Sequence, residues 1–358
     1  MEIFQAMESY GTQQLVFCSD PKSGLRAIVA IHDTTLGPAL GGCRMWPYRS
    51  EDEAITDVLR LSQGMTLKNA AMGLSLGGGK AVVLADPAAD KSEAQMRALG
   101  AFIERLGGSY ITAEDVGTTP DDMEQVAHAT RFVAGLSAHG GDPSPATALG
   151  VLYGMRASLE VVFDSPSLAG RHVVVQGLGH VGLRLCELLV QEGAVVTVTD
   201  LYPERIRSQV DRLRLGVIGP DDVYDVEADV FAPCALGGVL NSDTIRRLHV
   251  GAVCGAANNQ LATPEDARRL RERHIFYAPD FVVNGGGVIH VADGLSPEGF
   301  SQRRVEARVA RIHEQVLAVA ASAEREGITT HEAAVRLAQR RVEELARLLR
   351  LRVPEGPA

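Results

Sequence analysis

At 358 residues the chain exceeds the roughly 100–200 residues of a usual domain, so two domains with a cleft between them are expected. With 46% hydrophobic and 22% charged residues it has the balance of a soluble globular protein, and a formal net charge of −10 excludes the basic face that nucleic-acid binding needs. Five scattered cysteines (Cys18, Cys43, Cys186, Cys234, Cys254) form no CxxC pair and no zinc spacing, and neither a signal segment nor a run of roughly 18 apolar residues is present, so a cytoplasmic, metal-free protein away from membranes is expected.

Short β-branched runs at 14–18 and 26–33 predict two strands. Ser50 followed by Glu51, Asp52 and Glu53 predicts an N-cap and a helix ending near Gly64. The run at 81–85, closed by Asp86 and Pro87, reads as a buried strand, followed by a helix at 93–106 and a short strand at 109–113. Thr119, Pro120, Asp121 and Asp122 open the next helix. The stretch 136–145, rich in Gly, Ser and Pro, is the expected boundary between domains. A helix at 146–159 then leads into a βαβ unit: strand 173–177, helix 181–191 and strand 195–200. Strands at 230–233, 250–255 and 275–278 alternate with helices at 242–248 and 264–273, and from 301 onward two amphipathic helices are separated by Gly327. The arginines at 336, 340, 341, 347, 350 and 352 are interleaved with Glu and Leu at helical spacing and read first as a solvated or intersubunit helix face, with an anion-binding patch as the alternative.

In VVVQGLGHVG, Gly177, Gly179 and Gly182 stand at the GxGxxG spacing between a predicted strand and a predicted helix, and Asp200 ends the next strand. Gly177 permits the tight turn, Gly179 lets backbone approach a pyrophosphate, and Gly182 lets the helix lie close to the strand, with the phosphates at the helix N-terminus. A carboxylate at Asp200 would accept ribose hydroxyls and repel a 2′-phosphate, so NAD is expected over NADP, with Arg205 near enough in sequence to matter.

Three segments of the first domain read as loops feeding one pocket: PALGGCRMWP (38–47), GMTLKNA (64–70) with GGGK beyond it, and TAEDVGTT (112–119). Most lysines lie on the surface. Lys80, at the mouth of an apolar strand, and Lys68, between apolar residues, would instead be partly desolvated, and desolvation brings an ammonium toward proton exchange at neutral pH. Asp115 reads either as a turn carboxylate or as a partner that pairs with a lysine and shuttles protons.

GPALGGCRMWPY, GMTLKNAAMGLSLGGGKAVV, ITAEDVGTT, GDPSPATALGV, VVVQGLGHVG, APCALGG, GAANNQL and YAPDFVVNGGGVIHVAD, in this order over nearly the whole chain, resemble the leucine dehydrogenases of the Glu/Leu/Phe/Val amino-acid dehydrogenase superfamily. The resemblance implies an α/β fold: an N-terminal substrate-binding and oligomerisation domain (1–140), a Rossmann-type doubly wound NAD domain (141–325), and a C-terminal helix (326–358) returning to the first domain. It further implies a homo-oligomer, with an octamer favoured. Lys68 would hold the substrate α-carboxylate, Lys80 would be the catalytic base and Asp115 its proton partner. Leu40, Gly41, Gly42, Ala113, Asn284, Val288 and Val291 would line the substrate, the two valines sharing one face if their segment is helical. Thr147, Leu178, His180, Val181, Ala235 and Asn258 would join Gly177, Gly179, Gly182 and Asp200 around NAD. Gly285 and His290 depart from the alanine and asparagine usual in such enzymes.

The implied reaction oxidises an L-amino acid to its 2-oxo acid and ammonia. Glutamate-specific relatives carry a lysine just before the paired glycines, where this chain has Leu40, so the substrate side chain is expected to be apolar: leucine, valine or isoleucine first, phenylalanine if the cleft is roomier. Two other readings compete. An enzyme of this fold that condenses a 2-oxo acid with an imine is disfavoured by the retained TAEDVGTT, and a non-catalytic NAD sensor by the presence of Lys68, Lys80 and Asp115 together.

Overall fold

The structure is a computed structural model that describes residues 1–350, without the side chains of His139, Pro203, Arg205, Leu349 and Arg350. Arg352 thus lies outside the described residues. The chain divides into two units: Met1–Asp142 with Val291–Ser301 and the chain from Ala338 onward, and Pro143–His290 with Gln302–Leu337.

The first unit begins with a helix that sequence reading passes over, α1 (Ile3–Tyr10). β1 (Gln14–Asp20), β2 (Leu25–Asp33) and β3 (Ala39–Trp46) follow, then α2 (Glu51–Ala71), β4 (Gly77–Leu84), α3 (Glu93–Glu104), β5 (Tyr110–Glu114) and α4 (Pro120–Ala127). The five strands form one sheet in the order β1-β2-β4-β3-β5, antiparallel from β1 to β4 and parallel from β4 to β5. Side chains alternate between its faces. Ala39, Cys43, Met45, Ala81, Val83 and Tyr110 join the core under α3 and α4, whereas Ala30, Val82, Ile55, Val58 and Leu59 form a second layer with α2.

Two expectations fail here. The segment 38–47 is a strand rather than a loop: Ala39, Cys43 and Met45 supply the alternation, interrupted by Gly41 and Gly42. The helix begins at the Ser50 cap, whose hydroxyl accepts from the Glu53 N–H at 3.2 Å, but it runs through the exposed Gly64 to Ala71. An exposed helical glycine only costs about 1 kcal/mol against alanine, so packing overrides it. The chain turns instead at Gly73, whose φ of 67° suits glycine.

The second unit comprises α5 (Ser144–Phe163), β6 (His172–Gln176), α6 (His180–Gln191), β7 (Val195–Thr199), α7 (Pro203–Leu213), β8 (Gly216–Val217), β9 (Glu227–Pro233), α8 (Ser242–Arg247), β10 (His249–Val253), α9 (Glu265–Glu272), β11 (Phe276–Tyr277) and α10 (Asp280–Val283). α11 (Gly286–Gly294) follows, then α12 (Gln302–Val309), α13 (Ile312–Glu326) and α14 (Thr330–Arg350), so the final part has three helices rather than two. All six strands are parallel, in the order β11-β10-β9-β6-β7-β8. This is the doubly wound order whose first strand, β6, adjoins its fourth, β9, and ligands bind such sheets outside the carboxyl ends at that switch point. α5 has the length and hydropathy of a membrane span, yet here it packs against α6 and α13 with much of its length buried. α14 returns to the first unit from Ala338 rather than from 326. There Ala338, Val342 and Leu345, at helical spacing, meet Leu67, Ala70 and Ala71 of α2.

Candidate active site

The GGGK glycines lie inside β4, and each is a point of close approach. A Cβ on Gly78 would come within 2.1 Å of the Thr66 backbone nitrogen on α2, and one on Gly79 within 2.7 Å of the Tyr110 ring. Lys80 is the fourth residue of this central strand and only 4% exposed, so it is enclosed by the sheet rather than standing at a strand's mouth. Its neighbours of like number, Leu40, Gly42 and Arg44 on β3 and Ala113 on β5, share its face, the one α2 covers, because the odd residues of β3 and β4 enter the opposite core. Ala30 pairs with Lys80 on one side and Ala113 with Gly42 on the other. The lysine is therefore flanked by small residues in the sheet. Leu40 is 1% exposed and Ala113 is buried.

Asp115 follows β5 and is tied to β3. Its N–H donates to the Thr118 hydroxyl at 3.0 Å, that hydroxyl donates to the Cys43 carbonyl at 2.8 Å, and the Met45 N–H donates to the Val116 carbonyl at 2.9 Å. Gly42 must be glycine for this arrangement, since a Cβ would lie 2.8 Å from the Asp115 Cβ. Lys80 Nζ stands 3.0 Å from Asp115 Oδ1, and Arg44 Nε donates to Asp115 Oδ2 at 3.1 Å. Burial pushes the Asp115 carboxyl up, but the charges and hydrogen bonds of Lys80 and Arg44 outweigh it and hold it below the usual carboxylate range. Arg44 also donates to Asp57 Oδ2 at 2.9 Å, and Tyr48 and Arg60 donate to the same carboxylate at 2.8 and 3.0 Å. Sequence reading passes over Arg44, Asp57, Tyr48 and Arg60; the signal for Arg44 was a charge in the middle of an alternating apolar run. Lys68 is half-buried on the last turn of α2, beside Asn69, whose amide donates to the Gly77 carbonyl at 2.6 Å.

In the second unit, Gly177 turns with φ 96° and donates to the Thr199 carbonyl at 2.8 Å. A Cβ there would press on Ala235, and one on Gly182 would come within 2.0 Å of the Gly177 carbonyl, so both glycines serve close packing. Gly179 differs: nothing lies within 4 Å of its would-be Cβ, and as the N-cap of α6 it offers no capping side chain. The first N–H groups of α6, from His180 and Val181, thus face a space bounded by bare backbone, the arrangement that suits a phosphate. Asp200 accepts from the Leu178 and Tyr202 N–H groups at 2.8 and 2.9 Å, which fixes the carboxylate at the end of β7 and leaves its other lone pairs available. The residues present therefore fit a dinucleotide. Asn284 donates its amide to the Ala256 carbonyl at 3.1 Å and to Asn258 Oδ1 at 2.9 Å, which orients the side chain. Its own buried Oδ1 accepts no hydrogen bond among the described residues. Val288 and Val291 both lie on α11, each half-buried, and the Thr147 hydroxyl donates to the Pro143 carbonyl at 3.1 Å.

Residues 12–132 match the family model for the Glu/Leu/Phe/Val dehydrogenase dimerisation domain, and residues 205–348 that for glutamate/leucine/phenylalanine/valine dehydrogenase. The leucine dehydrogenase of Thermoactinomyces intermedius is 51% identical over 96% of this chain and 94% of its own. The chain belongs to the Glu/Leu/Phe/Val dehydrogenase family. Among other members, the phenylalanine dehydrogenase of Bacillus thermotolerans is 46% identical over 95% of this chain and 90% of its own. The crystal structure of L-tryptophan dehydrogenase from Nostoc punctiforme superposes with a TM-score of 0.85 at 39% identity, covering 96% of this chain and 99% of that one. Membership makes the chain an amino-acid dehydrogenase that works with a nicotinamide cofactor and a small-molecule substrate, the cofactor carrying the hydride.

Proposed function

We propose that the protein catalyses the reversible, NAD-dependent oxidative deamination of leucine, and of valine and isoleucine, to the 2-oxo acid and ammonia. One observation carries this reading: a buried lysine paired to a fixed carboxylate, with the apolar Leu40 and Ala113 on the same sheet face and the other cation of that face, Arg44, tied to Asp115 and Asp57. An aliphatic side chain gains roughly 25 cal/mol per Å² of apolar surface removed from water there, whereas a glutamate carboxylate against Leu40 would go unpaired.

In this reading Lys68 holds the α-carboxylate, the backbone of Gly41 and Gly42, close-packed on Gly79 and Asp115, borders the substrate, and Val288 and Val291 complete the apolar lining. The buried Asn284 Oδ1 is the acceptor for a donor on the substrate or the nicotinamide. A nicotinamide cofactor held at the Gly177–Gly182 turn would supply the acceptor for the substrate's Cα hydride, the oxidation that gives the imine. Lys80 removes a proton from water as its oxygen bonds to the imine carbon and passes that proton to nitrogen; it then takes the proton of the new hydroxyl, so the carbonyl forms as the C–N bond breaks and ammonia departs. Asp115 orients Lys80 and carries its proton only in passing, since two cations keep the carboxylate ionised.

NAD rather than NADP is supported by Asp200 at the ribose end; Thr147, Ala235 and Asn258 complete the cofactor contacts. Leu201 and Leu236, 70% and 72% exposed after β7 and β9, are apolar surfaces for an adenine ring. The side chain of Arg205 lies outside the described residues. A homo-oligomer, with an octamer favoured, and a cytoplasmic location belong to the same proposal. NADH formation with leucine, valine, isoleucine, phenylalanine and glutamate, each with NAD and NADP, tests it. Branched-chain substrates with NAD should exceed glutamate by orders of magnitude in kcat/KM; a preference for glutamate, or no NADH, would overturn it.

A further inference from the structure

Asp115 has two oxygens, and both are claimed by cations from different strands: Lys80 on Oδ1 and Arg44 on Oδ2. Arg44 is in turn gripped from the far side by Asp57 on α2, and Asp57 also accepts hydrogen bonds from Tyr48 and Arg60. The side chains of Arg44, Asp57 and Asp115 are only 20, 14 and 19% exposed. The rigid planar fork of Arg44 donates Nε to one carboxylate and Nη1 to the other in a fixed geometry, which a lysine's rotatable ammonium on a flexible stem does not impose. We propose that Arg44, locked by Asp57, is a positioning residue for the Lys80–Asp115 pair. It aims Asp115 Oδ1 at Lys80, and it supplies the carboxylate with a counter-charge that stays when Lys80 gives up its proton. Without it, a proton leaving Lys80 would strand a buried anion, so Lys80 would hold its proton more tightly.

The inference rests on the proposed function for Lys80, but its geometry does not. Other titratable groups near the pair do not replace Arg44. Burial first, and then the Asp115 charge, push the Cys43 thiol up to about 12, and burial holds the Tyr110 hydroxyl well above its ordinary range. Asp122 is occupied by Lys91 at 2.8 Å, and Lys68 is also a cation but lies on α2 rather than on Asp115 Oδ2.

The test compares Arg44→Gln, Arg44→Lys and Asp57→Asn in the full-length enzyme with two readouts: kcat/KM for leucine against pH, and the rate at which acetic anhydride labels Lys80 against pH, read by peptide mass. A cation within about 4–6 Å moves a proton equilibrium by a unit or more. On the acid limb, Arg44→Gln should therefore lower both kcat/KM and Lys80 labelling about tenfold, with NAD affinity unchanged. Arg44→Lys should restore the labelling while kcat remains about tenfold down, because charge returns without geometry. Asp57→Asn, which leaves Arg44 in place, covers the case in which the Arg44 variants do not fold, and it should lower kcat with a smaller shift of the limb. Unchanged pH dependence of labelling in Arg44→Gln, or in Asp57→Asn together with wild-type kcat, overturns the inference. Labelling does not require turnover, so a protein inactive on leucine would defeat the proposed function while the clamp is still judged by the labelling.

Discussion

A single carboxylate, Asp115, concentrates the electrostatics of the first unit. Its folded-state pKa lies below the ordinary value because Lys80 and Arg44 outweigh burial, so ionisation contributes stability above the unfolded pKa near 4 that is lost as pH falls through the folded value. Acid unfolding followed between about pH 5 and 2 should accordingly show a smaller loss of stability in Asp115→Asn than in the wild type. Equal acid slopes would show that Asp115 is not a linkage site. The residue scale is also where sequence reading went furthest and stopped shortest. Lys80 and Asp115 stood out as charges in apolar or glycine-rich settings, and they do meet. Arg44 and Asp57 did not, because their importance comes only from two elements 13 positions apart in sequence bringing them to 2.9 Å.

Among the elements, glycines that look alike in sequence do opposite things. Gly78 lies under α2, with the Thr66 backbone 2.1 Å from where a Cβ would be, whereas Gly64 on α2 has nothing within 4 Å. Gly78→Ala should destabilise the first unit by about 1–3 kcal/mol or more by forcing helix from sheet. Gly64→Ala should stabilise it by roughly 0.5–1 kcal/mol by removing helix-interior glycine entropy. Urea unfolding of both variants, with opposite signs expected, checks the reading; the same sign for both would contradict it. This contrast explains why β3 and the last turns of α2 were misread. Gly41, Gly42 and Gly64 are loop signals locally, and only the neighbouring chain decides that they are close approaches or tolerated exposures. The βαβ unit at 172–199 was legible because strand, turn, helix and distal Asp200 all agree at short range.

The molecule as a whole places its two kinds of chemistry on separate units: the lysine–carboxylate pair in the sheet of the first and the glycine turn at the switch point of the second. A break near 142 was visible as a Gly-, Ser- and Pro-rich stretch, because backbone without apolar partners is cheap to leave between cores. The return of the chain at Val291–Ser301 and from Ala338 was less visible, since α14 continues one helical pattern across the change of unit and only Ala338, Val342 and Leu345 reveal their partners. In the proposed reaction hydride acceptance and water activation draw on different units, so each should be separable by mutation. Lys80→Ala removes the proposed proton acceptor while leaving Gly177–Gly182 and Asp200 intact. Steady-state NADH formation from leucine, measured beside NAD binding by fluorescence, should show unchanged NAD affinity and a kcat at least about 10²-fold lower. A variant that binds NAD normally and turns over at close to the wild-type rate would contradict Lys80 as the base.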